Sequence, residues 1–150
     1  MLEQTKVWKL IQRLQQLKSI DVLDVVIDRA ILDSMEQYNK DQLQQGERSD
    51  GSSLPDYSET SVNVYGKPPG PIKLFETGDF YDSITTIALD NVIRFVSQPF
   101  KQDPLTGNIT NLEEKYRPEI IGLTDENLEK IRAKVKIKII KYVKKLLYDN

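Results

Sequence analysis

The segment "SITTIALDNVIRFVSQ", residues 83–98, carries the clearest β-strand pattern of the chain. Two runs of apolar and β-branched residues meet at Asp90-Asn91, a pair that tolerates the positive φ of a tight two-residue turn. The pattern predicts an antiparallel hairpin at about 84–97. Helical patterns lie on both sides of this hairpin.

Two helices are predicted in the N-terminal part, residues 1–45. The first covers about residues 3–18, where five apolar residues recur at steps of three and four and form one stripe. These residues are Val7, Leu10, Ile11, Leu14 and Leu17. A second apolar series follows Asp21, a residue suited to capping a first turn, and predicts one helix that runs to about Gln45 and stops at Gly46.

The middle of the chain combines turn residues with weaker strand patterns. Residues 46–61 are rich in Ser, Asp, Gly and Pro and predict a long polar surface loop. Residues 62–98 form the expected β part, in which "SVNVYGK" (61–67) and "PIKLFE" (71–76) are further strand candidates before the hairpin. Residues 99–124 predict a loop with one short helical turn in "NLEEKYRPEI" (111–120), bounded by Pro118.

The C-terminal residues 125–148 fit two structures. "IRAKVKIKI" (131–139) alternates apolar and basic residues as a half-buried strand does, yet its apolar residues also continue a helical stripe. The length of the segment, a cap at Thr124 and acids at its start with lysines at its end favour one long helix. We expect residues 1–150 to form one domain.

The residue types restrict the chemistry of this protein. The 150 residues include no cysteine and no histidine, which excludes thiol nucleophiles, the usual zinc ligand sets and a histidine base. "KPPGP" (67–71) lacks the glycines and the Gly-Lys-Ser/Thr of a phosphate-binding loop. We therefore expect no catalytic residue, no metal and no cofactor, and the N-terminal pattern predicts neither a secretion signal nor a membrane span.

Three carboxylates near the middle of the chain were the remaining candidates for chemistry. Glu76, Asp79 and Asp82 fall within seven residues, and hard cations prefer such oxygen ligands. Their spacing matches no metal-binding loop, and an acid/base pair needs two environments that separate the pKa values. A solvated turn is the favoured interpretation, and an enzyme using these carboxylates remains the less favoured alternative.

Charge is unevenly distributed along the chain, whose net charge is −2. Residues 41–60 hold five acids and one base, whereas residues 126–150 hold eight bases and three acids. Opposite surfaces of this kind suit contacts between neighbouring copies. The candidate inter-subunit residues are Asp50, Asp56, Glu59, Lys138, Lys141 and Lys145. The alternative is an accessory protein that binds nucleic acid through the lysine-rich C-terminal helix.

The segment "LFETGDFYDSI", residues 74–84, resembles the "TG-x-hydrophobic-x-x-S-I" signature of tailed-phage tail-completion and head-to-tail joining proteins. Over about residues 40–132 the chain is also similar to small virion proteins of phages that infect Bacteroides-like hosts, including crAss-like phages. It differs from the simplest family pattern in having two N-terminal helices and "YRPEIIGLT" (116–124) after the hairpin in place of "F-G-T".

The resemblance implies an α+β fold, in which N-terminal helices precede a small antiparallel sheet and the long C-terminal helix packs on that sheet. It also implies a virion protein that forms a homo-oligomeric ring in the neck, is assembled in the cytoplasm of the bacterial host, and contacts portal and tail proteins near packaged DNA. It assigns scaffold roles to six residues. Thr77 and Gly78 would make the turn into the sheet, Asp79 and Ser83 would fasten the next turn, and Phe80 and Ile84 would point into the core.

Overall fold

The N-terminal part of the chain is helical. The computed structural model describes residues 6–19, 22–89, 92–103 and 105–148. Helix α1 covers Lys6–Ser19, α2 covers Val22–Val26 and α3 covers Arg29–Gln44. The first predicted helix is confirmed within the described residues, and the proposed cap at Asp21 lies outside them.

The prediction of one uninterrupted second helix is wrong, because the helix breaks at residues 27–28. Asp28 has an extended backbone, and its side chain accepts a hydrogen bond from the Ile31 N–H at 3.1 Å. Such a side chain replaces the missing helical acceptor at the start of α3. A capping residue in the middle of an apolar series therefore divides it into α2 and α3.

The predicted stop at Gly46 is confirmed. Gly46 has a φ of 73°, and its N–H donates to the carbonyl of Leu43 at 3.0 Å. The Glu47 N–H donates to the carbonyl of Gln42 at 2.9 Å. These two bonds form the Schellman motif that satisfies the last carbonyls of a helix, and it requires a left-handed residue at this position.

The predicted hairpin is confirmed. Strand β1, Thr85–Leu89, pairs antiparallel with β2, Val92–Val96, and Leu89 lies opposite Val92. The predicted turn residues, 90–91, lie outside the described residues.

A second antiparallel pair occupies part of the region that was expected to be loop. Strand β3, Phe100–Gln102, pairs with β4, Ile109–Asn111. Each strand has only three residues, too few for an alternating pattern to identify. The short helical turn is confirmed as α6, Leu112–Tyr116, and a 3-10 turn follows at Pro118–Ile120.

The two weaker strand predictions are wrong. Residues 59–63 form a short helix, α4, Glu59–Asn63, because the Ser58 side chain accepts a hydrogen bond from the Ser61 N–H at 3.1 Å and caps it. Residues 71–76 contain no strand. Leu74 has a φ of 53°, which no strand residue adopts. The β part of residues 62–98 is therefore confined to the hairpin.

Two further helices complete the described chain. Helix α5, Asp79–Ser83, is a single turn before β1, and α7 covers Asp125–Tyr148. The helical interpretation of residues 131–139 is thus confirmed. Among the residues that the structure describes, no helix is long and apolar enough to span a bilayer.

The apolar core has two clusters that meet at the hairpin. One contains buried residues of α3, α5 and α6 with their connecting segments: Leu43, Leu54, Phe80, Tyr81, Ile84, Leu112 and Ile120. The other joins Ile31 and Met35 of α3 to Ile131 of α7. Phe95 of β2 packs against both clusters. Helices α3 and α7 therefore lie on the same side of the hairpin, and the prediction of a long helix on the sheet is confirmed.

Candidate functional site

The six motif residues lie together at the turn before the hairpin. Gly78 has a φ of 92° and precedes α5. The Thr77 hydroxyl donates to the Asp79 carboxylate at 2.7 Å and accepts from the Asp79 N–H at 3.4 Å. The turn therefore leads into a one-turn helix and only then into β1.

The second half of the motif attaches this helix to the hairpin. Phe80 and Ile84 are buried in the core. The Ser83 hydroxyl donates to the carbonyl of Phe80 at 2.7 Å and accepts from the Gln98 N–H at 2.9 Å. Ser83 thus connects the end of α5 to the segment that follows β2. These contacts hold the turn in place.

The carboxylates of this turn do not form an enclosed site. Glu76, Asp79 and Asp82 are all exposed, and Glu76 forms an ion pair with Lys101 of β3. Within the described part of the chain, no group of three or more Asp and Glu residues is placed to hold a metal ion.

Residues 56–70, which we call the arm, leave the core and return to it. The Ile72 N–H donates to the carbonyl of Pro55, and the Tyr57 N–H donates to that of Gly70, both at 2.9 Å. Two tyrosine hydroxyls hold the segment that follows the arm: that of Tyr57 accepts from the Lys73 N–H at 3.3 Å, and that of Tyr81 donates to the Lys73 carbonyl. Burial raises the pKa of Tyr81.

No residue of the arm is buried, although both ends are fastened. Asp56 and Glu59 are exposed, and Val64 and Tyr65 each retain 69% of their accessible surface. A loop of this length with closely spaced ends is an Ω-loop, a structure that often carries a binding surface. The arm thus presents both acidic and apolar side chains to solvent.

The outer face of α7 presents the opposite charge. Lys136, Lys141, Lys144 and Lys145 are exposed, and among the described residues none of them forms an ion pair. Ile137 and Ile140 on the same face are 54% and 43% exposed. In a helix Lys141 lies one turn from Ile137, and Lys144 lies one turn from Ile140. The surface, which we call the α7 face, is therefore basic and apolar.

The six candidate inter-subunit residues fall into two groups. Asp50 is engaged within the chain, because it accepts from Ser52 and pairs with Arg117 at 3.2 Å. Hydrogen bonds from Ser52 hold the pKa of Asp50 below its ordinary value. Lys138 is also engaged, in an ion pair with Asp28. The other four are exposed and form no ion pair among the described residues: Asp56, Glu59, Lys141 and Lys145.

Sequence reasoning missed a set of buried polar residues on α3. The Glu36 carboxylate accepts two hydrogen bonds from Thr86 of β1, one from its N–H at 2.7 Å and one from its hydroxyl at 2.9 Å. It also accepts hydrogen bonds from the Arg29 guanidinium. Burial alone would raise the pKa of Glu36, but the hydrogen bonds from Thr86 and Arg29 outweigh it and the pKa lies below the ordinary value.

Two more buried side chains continue this set. Asn39 donates to the carbonyl of Ile120 at 3.1 Å. Gln42 donates to the carbonyl of Gly122 at 3.1 Å and accepts from the Thr124 N–H at 3.0 Å and from Asn127 at 2.7 Å. The three residues recur at steps of three, a spacing that aligns them on one helix face and was the signal available in the sequence.

Apolar side chains remain exposed on two other surfaces. The described part of the predicted α1 stripe is exposed: Val7, Leu10, Ile11 and Leu14 retain 40–64% of their accessible surface. Helix α1 is held to α7, where Arg13 donates to the carbonyl of Leu147 at 2.7 Å. The outer face of the hairpin exposes Ile87, Leu89, Val92 and Val96.

No protein-family model, curated protein or solved structure matches this chain. The resemblance of residues 74–84 to phage neck proteins stays a prediction.

Proposed function

We propose that this protein is a structural virion protein, a ring-forming neck or tail-completion subunit that links the portal side of a phage head to the tail. The observation that carries the proposal is the amount of apolar surface exposed on α1 and on the hairpin. Monomeric proteins rarely expose contiguous apolar surface of this kind unless it contacts a partner. The resemblance of residues 74–84 supplies the phage setting.

Helix α1 supports an assembly role because its apolar stripe is regular. Val7, Leu10, Ile11 and Leu14 follow the spacing of a helix that buries one face, yet that face is exposed. Tertiary packing of an apolar face supplies most of the stability of a short helix. We expect a neighbouring subunit to cover the stripe in the assembled particle.

The hairpin supports the same role. Its inner face packs toward α3 and α7, while three cross-strand pairs face outward: Thr85 with Val96, Ile87 with Arg94, and Leu89 with Val92. Each strand pairs on one side only among the described residues. Packing on the helices stabilises the inner face of this two-stranded sheet, whereas a neighbouring subunit would bury the apolar residues that remain exposed on its outer face.

Particle composition tests the proposal. Mass spectrometry of purified virions from the phage that encodes this chain should detect the protein at a constant ratio to the portal protein. A virion preparation that is infectious and lacks the protein would contradict it.

The α1 stripe gives a sharper version of this test. Leu10→Asp with Leu14→Asp should reduce incorporation of the protein into particles about tenfold or more, because two charges would have to be buried against a partner. The control is Gln12→Asp with Gln15→Asp, which adds the same charge to exposed polar positions of the same helix. Equal incorporation of the two variants would argue against α1 as an assembly surface.

A nucleic-acid-binding accessory protein is the second candidate, and the four exposed lysines of the α7 face favour it. When lysines bind phosphates, the logarithm of the binding constant falls linearly with the logarithm of the salt concentration. Under this alternative, duplex DNA binding falls steeply with salt and disappears in the variant Lys138→Glu, Lys141→Glu, Lys145→Glu. Binding that is weak in the wild-type protein at physiological salt would exclude it.

A further inference from the structure

We infer that the arm of one subunit docks on the α7 face of a second copy of this chain, so that copies associate head to tail. The inference deepens the proposed function and rests on it in one respect, that the subunit assembles with copies of itself. It assigns a partner to two surfaces that are exposed in the subunit.

Charge complementarity identifies the second copy as the partner. Asp56 and Glu59 of the arm have no ion-pair partner among the described residues. The four lysines of the α7 face also have none there. Complementary potentials select the partner and the orientation of an interface. The other candidate residues, Asp50 and Lys138, are satisfied within the subunit and need no contact between copies.

The two surfaces also match in their apolar content. Val64 and Tyr65 are exposed on the same arm as its acids, and helical spacing puts Ile137 and Ile140 between the lysines of the α7 face. Interfaces commonly place an aromatic anchor at an apolar centre and charges at the rim. Tyr65 is suited to be the anchor, because its ring is large and its hydroxyl can remain at the solvent-exposed rim of the interface.

The shape of the arm fits insertion into a neighbour. Its ends are fastened by the bonds of Tyr57 and Ile72 to Gly70 and Pro55, while none of residues 56–70 is buried. The fastened base limits the conformations that binding has to order, which lowers the entropic cost of association. The prolines of "KPPGP" (67–71) lie where the arm returns to the core and restrict the backbone there.

The contact is heterologous, because the arm and the α7 face are different surfaces. A heterologous contact produces a closed ring when the rotation between copies closes, and a filament when it does not. Because the two surfaces differ, each copy can bind a further copy and assembly continues beyond two subunits. A self-complementary patch would produce only a dimer.

Charge reversal tests the inference by sedimentation velocity of the purified chain at low and high salt. The wild-type protein should form assemblies larger than a dimer that dissociate as salt rises. Asp56→Lys with Glu59→Lys, or Lys141→Glu with Lys144→Glu, should each weaken self-association about tenfold or more. The chain carrying all four reversals should assemble again, because the charges are exchanged. Glu114→Lys, at an exposed position of α6, is the control for a change of charge alone.

The inference would be overturned by a wild-type chain that is monomeric in every condition, by assembly that neither reversal weakens, or by a quadruple variant that does not assemble again. Loss of duplex DNA binding in Lys141→Glu with Lys144→Glu, without any change in sedimentation, would also overturn it and favour phosphate recognition. Virion composition separates this inference from the proposed function. If the chain is found in virions but charge reversal does not change its self-association, the proposed structural function stands and the inferred interface is rejected.

Discussion

Pro71 occupies the space that a side chain at Gly46 would need. A Cβ atom at Gly46 would lie 2.3 Å from the Cβ of Pro71, far inside van der Waals contact. Gly46 ends α3 with a φ of 73°, and its carbonyl accepts from the Leu54 N–H at 2.7 Å. The end of α3, the segment before the arm and the proline that closes the arm therefore pack at one glycine.

Gly46→Ala should destabilise the protein more than Gly51→Ala. Both glycines have φ values between 70° and 80°, so a side chain at either costs about 1–2 kcal/mol of backbone strain. Only at Gly46 does the added methyl group meet another residue, and overpacking adds about 1–3 kcal/mol. Urea unfolding of both variants measures the difference. Equal free energies of unfolding would show that the Pro71 contact costs nothing.

Glu36→Gln should lower the free energy of unfolding by about 1–3 kcal/mol at pH 7, because hydrogen bonds to a charged acceptor become neutral ones. The pKa of Glu36 is lowered from its ordinary value of 4.5. The stability that this group contributes is therefore fully present above that pH and is lost as pH falls through the folded-state pKa.

The difference between wild-type protein and Glu36→Gln should accordingly shrink as pH decreases below about 4.5. Urea unfolding at several pH values between 3 and 7 measures this difference. Glu114→Gln, on the exposed side of α6, is the matched control and should leave the profile unchanged. A constant difference between wild-type protein and Glu36→Gln at all pH values would mean that the charge of Glu36 does not link α3 to β1.

Gln42→Ala should destabilise the protein by about 1–3 kcal/mol, because it leaves buried groups at the start of α7 without partners. Those groups include the Thr124 N–H and the carbonyl of Gly122. Gln44→Ala, two residues further along α3 and exposed, should have little effect. Hydrogen exchange should show faster exchange of the Thr124 amide in Gln42→Ala alone. Unchanged protection there would contradict the anchoring role.

Elements with a long or repeated local signal were predicted correctly. Helix α7 has a cap at Thr124, acids in its first turn and 24 residues of helical spacing, and the hairpin has two five-residue strands. The strands β3 and β4 were missed because three residues carry too little periodicity. The break at Asp28 was missed because apolar residues continue on both sides of the cap.

The candidate surfaces were predicted in part. The acidic and basic segments were visible in the sequence, but the pairing of Asp50 with Arg117 spans 67 residues and that of Lys138 with Asp28 spans 110. Such pairings depend on how distant elements pack and have no local signal. The arm was missed for the same reason, since its closure depends on hydrogen bonds between its base and residues 70–73.

The sequence alone determined where most helices and the hairpin form, where α3 stops, and which residue types are present for chemistry, since these depend on local backbone preferences and composition. Tertiary structure alone decided which polar side chains of α3 are buried, which charges are paired within the subunit, and which apolar faces remain exposed. Those outcomes depend on contacts between segments far apart in the chain, because the free energy of a buried or paired group depends on its neighbours in space.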